Sequence, residues 1–198
     1  LLDLWKRIFG RLKISPGYAL TVRNPIEVGR SLNTAHGISP RRSQILWLQH
    51  MLSAERGTRG ADRCFVSYER LLSNWRSEIK RIEDSLGISL ARVSQRSASE
   101  IDSFLSLQLR HHQLSAAELE EREDVSPWVS RAFSFFEKLA ADQKPSPRTL
   151  DQISRDISVA DSTYGEIIAD LGLQSQGLTA ALNESGHELE TLRTAAAA

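Results

Sequence analysis

One cysteine, no net charge and no long apolar run set the first limits on this chain of 198 residues. Cys64 alone cannot close an internal disulfide or build a cysteine zinc site, so the sequence fits a reducing compartment. Lys plus Arg number 25, as do Asp plus Glu, which leaves no global field to draw in nucleic acid or anionic lipid. Any anion must therefore be held by a local group of side chains. No stretch approaches the ~18 apolar residues that span a bilayer, and the first residues lack the apolar core and cleavage site of a signal peptide. These absences point to a cytoplasmic protein with no membrane span and no nucleic-acid partner. With 40% hydrophobic residues, the chain can bury the core of one medium domain or two small ones. It opens on Leu1 rather than Met and closes on Ala195-Ala196-Ala197-Ala198, which leads to the expectation that both ends are cut.

Periodicity organises what is present. Leu1, Leu4, Trp5, Ile8 and Leu12 recur at helical spacing, and Ser15-Pro16-Gly17 breaks the pattern. Tyr18-Ala19-Leu20-Thr21-Val22 then reads as a buried strand. Asn24 can cap a helix whose first residue is Pro25, where a missing N–H is harmless, and that helix is expected to run to about Ala35. Ser39-Pro40 repeats the device, with a helix expected to stop at Gly57. Arg63 to Tyr68 reads as a second strand, with Cys64, Val66 and Tyr68 facing one way and Phe65 the other. A helix from Glu69 to Leu86, closed by Gly87, follows. Strands separated by helices argue for a parallel sheet with helices packed on it, although two strands are too few to stand as a sheet alone.

Beyond Ser89 the pattern is helical only. Ser99-Glu100 starts a helix through Phe104, Leu105 and Leu109, Ser115 with Glu118 makes a capping box, and Ser126-Pro127 opens a helix buried along Val129, Ala132, Phe133, Phe136, Leu139 and Ala140. Pro145-Ser146-Pro147 is a stiff break. After it, Leu150, Ile153, Ile157, Ala160, Tyr164, Ile167 and Leu171 alternate steps of three and four. This seam is read as intramolecular packing, because about three heptads barely reach coiled-coil length. Leu178, Leu182, Leu189 and Leu192 suggest one more helix. The expected divisions are 1–90 as the α/β part, 91–144 as a helical extension of the same domain, and 148–198 as C-terminal helices.

The chemistry concentrates where the first strand ends. Arg23-Asn24-Pro25 offers a guanidinium fork beside the amides of a capped helix start, and both favour a phosphate dianion. The same tripeptide is also an ordinary way to leave a strand. Other candidates carry less. His111-His112 are adjacent, so on a helix they point about 100° apart, and no further ligand sits at zinc spacing, so no metal is expected. Gly57-Thr58-Arg59-Gly60 lacks the Lys and the preceding strand of a phosphate loop. Arg41-Arg42, on a first helical turn, read as exposed surface charge.

A strand ending in Arg, then Asn-Pro, then a helix with Ser31 eight residues after Arg23, resembles the sulfotransferases that use 3′-phosphoadenosine 5′-phosphosulfate. The resemblance continues through Ile45 to Leu52, Ala54 to Gly60, and Phe65-Val66-Ser67-Tyr68-Glu69-Arg70-Leu71-Leu72, then Trp75, Ile82 and Leu86-Gly87. Ile101 to Leu105, Leu109-Arg110-His111-His112 and Trp128-Val129 look like the tail of bacterial, carbohydrate-type members. Together these cover about Leu1 to Leu171. The resemblance implies an α/β three-layer fold of the P-loop type, of which this chain would supply the C-terminal strands, followed by a mainly helical region. It implies that Arg23 and Ser31 bind the donor's 3′-phosphate and that Tyr68 lies near the adenine; a strand-end tyrosine packed on the core is the competing role for Tyr68. Arg110 is a possible donor or acceptor contact.

The implied co-substrate is 3′-phosphoadenosine 5′-phosphosulfate, without a metal, and the implied partner is a carbohydrate or glycan acceptor presenting a hydroxyl or amine. The family's Pro-Lys-x-Gly-like phosphosulfate loop is not in this sequence, and only twenty-two residues, without His or Glu, precede Arg23. The catalytic base and that loop are therefore expected upstream of Leu1, and the chain alone is expected to be inactive. The alternative is a truncated, non-catalytic nucleotide-binding or helical interaction module. A nucleotide kinase would need magnesium-binding and lid-arginine patterns, which the sequence does not show.

Overall fold

A computed structural model describes residues 1–90, 94–105 and 116–196. The elements run α1 (Leu2–Leu12), β1 (Tyr18–Val22), α2 (Pro25–His36), α3 (Pro40–Thr58), β2 (Arg63–Ser67), α4 (Tyr68–Ser73), α5 (Trp75–Leu86), α6 (Gln95–Phe104), α7 (Ala116–Glu120), α8 (Pro127–Ala140) and α9 (Arg148–Ala196). The chain is mixed α/β and mostly helical. Among the described residues it forms one parallel sheet of two strands, with Tyr18 opposite Arg63 and Val22 opposite Ser67. Two units divide the chain, Leu1–Asp151 and the stretch from Gln152 onward.

Within the first unit, β2 is buried on both faces because its side chains alternate. Cys64 and Val66 pack with Ile79, Ile82 and Leu86 of α5, while Phe65 meets Phe136 of α8 with ring centroids 5.8 Å apart. Trp47 of α3 meets the edges of Phe133 and Phe136 at 6.1 and 6.3 Å. Helix α8 is thereby the centre of an aromatic core that also holds Val22, Leu48 and Val129. The helices follow their caps. Asn24 accepts from the Ile26 amide at 2.8 Å and Ser126 from that of Trp128 at 3.3 Å, each with Pro as the first helical residue.

Two buried carboxylates brace this unit. Glu55 takes Arg59 at 2.9 Å and Arg63 at 3.1 Å, and Arg59 also reaches Asp151 at 2.8 Å. Glu78 takes Arg81 at 2.7 Å and Arg70 at 3.3 Å. Those arginines also donate to the carbonyls of Phe65 and Ala140, tying β2 to the end of α8.

Several expectations change. The second strand ends at Ser67, which caps α4, so Tyr68 opens a helix rather than closing a strand. The helix expected over 69–86 is two, because Asn74 turns its side chain to cap the Ser77 amide at 3.2 Å and leaves helical geometry at φ −153°. Gly57 does not stop α3, which runs to Thr58. It lies where α1 comes close, and a Cβ there would stand 2.4 Å from Leu2. Gly60, at φ 77°, makes the turn instead. Helix α6 starts from a Ser94 cap, earlier than Ser99. It ends at Phe104, with Leu105 as its C-cap, while Leu109 and the Ser115 half of the capping box lie outside the described residues.

The break at Pro145-Ser146-Pro147 precedes α9, but the first turn of that helix belongs to the first unit: Leu150 is buried and Asp151 pairs with Arg59. Helix α9 continues for 49 residues, so the two helices expected here are one. Gly172 and Gly177 weaken a helix without ending it, and neither Pro nor a cap interrupts the stretch. Along the seam Leu150 and Ile153 are buried, whereas Tyr164, Ile167 and Leu171 are exposed. Among the described residues the second unit offers no other element to cover these three, so the seam is not packed within that unit. No helix among the described residues is long and apolar enough to cross a membrane.

Candidate functional site

The pairing of β1 with β2 decides what stands at their carboxyl ends. Val22 lies opposite Ser67, so the next residues along each strand, Arg23 and Tyr68, leave the sheet side by side. The Arg23 guanidinium carbon sits 4.4 Å from the centroid of the Tyr68 ring, in cation–π range. Carboxyl edges of parallel strands are where α/β sheets bind ligands, because the chain turns away there into helices and leaves a crevice.

Arg23 is fixed from three sides. Its Nε donates to Glu27 Oε2 at 3.2 Å, its guanidinium lies over Tyr68, and its backbone carbonyl accepts the indole N–H of Trp47 at 3.1 Å. The Arg23 side chain is 29% exposed and that of Glu27 10%. Neither terminal nitrogen of Arg23 makes a hydrogen bond among the described residues, so their N–H donors are not taken up there.

The helix start beside it gives less than its sequence suggests. Pro25 has no N–H, and Asn24 takes both the Ile26 amide, through its side chain, and the Val28 amide, through its carbonyl. The expected cradle of free amides is therefore largely filled by its own cap, and anion recognition falls to Arg23. Asn24 is buried and serves as that cap. Glu69, in the first turn of α4, stands where a carboxylate meets the positive end of a helix.

Ser31 is exposed on α2, one turn beyond Glu27, so the two share a side of the helix. The structure brings Arg23, Glu27 and Tyr68 into contact and sets Ser31 farther along the same helix. Arg110 and His111-His112 lie outside the described residues. Among the described residues no cluster of His, Cys, Asp and Glu could hold a metal ion.

Two participants escaped the sequence reading. Glu27 was visible as an acid four residues after Arg23, the spacing of a helical ion pair, but Arg23 lies outside the helix and its reach back over the first turn is a matter of rotamer. Trp47 sits 24 residues from Arg23, and only the packing of α2 on α3 puts its N–H beneath the loop.

Glu137 of α8 is half-buried, and its pKa is raised by burial first and then by the charge of Glu69, with Arg70 pulling the other way. Comparison of the chain with protein-family models, with curated proteins and with solved structures finds no match.

Proposed function

We propose that this chain is the part of a sulfotransferase that holds the 3′-phosphate end of 3′-phosphoadenosine 5′-phosphosulfate. The observation that carries the reading is the strand register that sets Arg23 and Tyr68 together at the carboxyl edge of a parallel pair. A guanidinium whose terminal nitrogens make no hydrogen bond among the described residues suits a phosphate monoester dianion, which takes two parallel charge-assisted hydrogen bonds from it. Ser31 adds a hydroxyl farther along α2, and Tyr68 an aromatic edge for the adenine.

In the reaction, an acceptor hydroxyl or amine attacks sulfur as the bond from sulfur to the bridging phosphate oxygen breaks. The acceptor's proton passes to a base, and adenosine 3′,5′-bisphosphate leaves. This reading assigns donor anchoring to the present chain and the phosphosulfate loop and base to residues outside it. A carbohydrate or glycan is the acceptor proposed, and the protein is proposed to work in the cytoplasm.

The test is calorimetric binding of adenosine 3′,5′-bisphosphate to the full-length protein. Arg23→Ala is expected to weaken binding by tenfold or more, roughly the ~1.5–3 kcal/mol of a hydrogen bond to a charged group. Equal affinity in the mutant removes Arg23 from the site. A second reading, a non-catalytic helical interaction module, is favoured by the exposed apolar side chains of α9, such as Ile168, Leu178 and Leu182. It predicts no binding of this nucleotide at all.

A further inference from the structure

The Arg23 side chain has a second carboxylate-facing donor edge that a phosphate does not need, and its use explains how the fork is aimed. The Nε–H points to Glu27, the flat face lies against Tyr68, and only the two terminal nitrogens remain for a ligand. An unrestrained arginine samples many rotamers and loses that freedom on binding. Here two of its surfaces are already committed. We propose that Glu27 is a positioning residue: it holds the Arg23 guanidinium by Nε so that the terminal nitrogens present a preformed fork to the 3′-phosphate of an adenine nucleotide. This inference rests on the donor-binding reading above.

Glu27 has two effects of opposite sign. Its charge repels an incoming phosphate, and its reach fixes the group that attracts that phosphate. Substitution separates them. Glu27→Asp keeps the charge and the acid in the first turn of α2 but is one methylene short of Nε. Glu27→Gln keeps the reach and an oxygen that can accept from Nε while removing the charge. Both are small changes that add no bulk to the first turn of α2, so both variants are expected to fold.

The experiment measures the Kd of adenosine 3′,5′-bisphosphate and of adenosine 5′-monophosphate for the full-length wild-type protein and the two variants. The monophosphate lacks the 3′-group and reports everything else. Positioning predicts that Glu27→Asp weakens the bisphosphate about tenfold, the scale of one oriented charge-assisted hydrogen bond, and leaves the monophosphate unchanged. Glu27→Gln is expected to bind the bisphosphate at least as tightly as wild type. Glu27→Asp binding like wild type, or Glu27→Gln weakened as much as Glu27→Asp, overturns the positioning role while the donor reading stands. A wild-type protein that does not prefer the bisphosphate overturns the donor reading itself, and the inference with it.

Discussion

The indole N–H of Trp47 donates to the backbone carbonyl of Arg23 at 3.1 Å, linking the aromatic core to the one turn that carries the candidate site. Trp47 is buried, and its ring meets the edges of Phe133 and Phe136. The position of Arg23 therefore depends on core packing as well as on its own neighbours.

Trp47→Phe keeps much of that packing and removes the donor. A carbonyl left without its partner, together with the lost ring volume, is expected to lower unfolding free energy by about 2 kcal/mol. Urea denaturation checks this, with a lower midpoint and an unchanged m-value. If Trp47 supported only the core, nucleotide binding measured well below the midpoint would stay at wild-type affinity. Anchoring of the Arg23 turn predicts a loss there too.

How much of this was legible follows the range of each interaction. The caps at Asn24 and Ser126 are local, and the sequence shows them, because Asn or Ser before Pro has few other uses at a helix start. Both strands were legible from short apolar runs, and so was Arg23 as the residue leaving the first. The split at Asn74 was not, since Leu71, Leu72, Trp75 and Ile79 keep helical spacing across it and only the side-chain cap reveals the break. Gly57 misled for a similar reason: a glycine near a helix end signals a stop, and its use as a landing place for Leu2 is invisible without α1. The clamps on Glu55 and Glu78 draw arginines from separate elements, which periodicity does not encode.

A buried and a half-buried carboxylate, Glu78 and Glu137, give opposite pH dependences. Burial alone would raise the pKa of Glu78, but Arg81 and Arg70 outweigh it and hold the carboxyl below its ordinary value. That stability is present above the unfolded value near 4.5 and is lost as pH falls through the folded one. Glu137 is the reverse. Its pKa is raised by burial and by Glu69, so its charged form weakens the fold at neutral pH and its protonation relieves this as pH falls toward 4.5. Glu137→Gln is expected to raise stability at pH 7 and to bring no gain at pH 4, where the wild-type carboxyl is itself largely protonated. Thermal unfolding at the two pH values measures it. A mutant equally stabilised at both would trace the effect to packing rather than to charge.

From Asp161 onward every described side chain is exposed except at Gly165, although α9 continues to Ala196. A helix with so little buried side-chain surface contributes little folding energy, since helices in water draw most of their stability from packing one face. A chain ending after Ala160 retains Leu150 and Ile153, the buried residues of α9, and Asp151, which pairs with Arg59. Its unfolding free energy in urea is expected to match that of the longer chain within about 0.5 kcal/mol, as for changes at exposed positions. The far-UV helical signal should fall only by the share of the removed residues. A loss of about 2 kcal/mol or more, the scale of burying a large apolar side chain, would show that the exposed leucines and isoleucines of α9 are covered in solution.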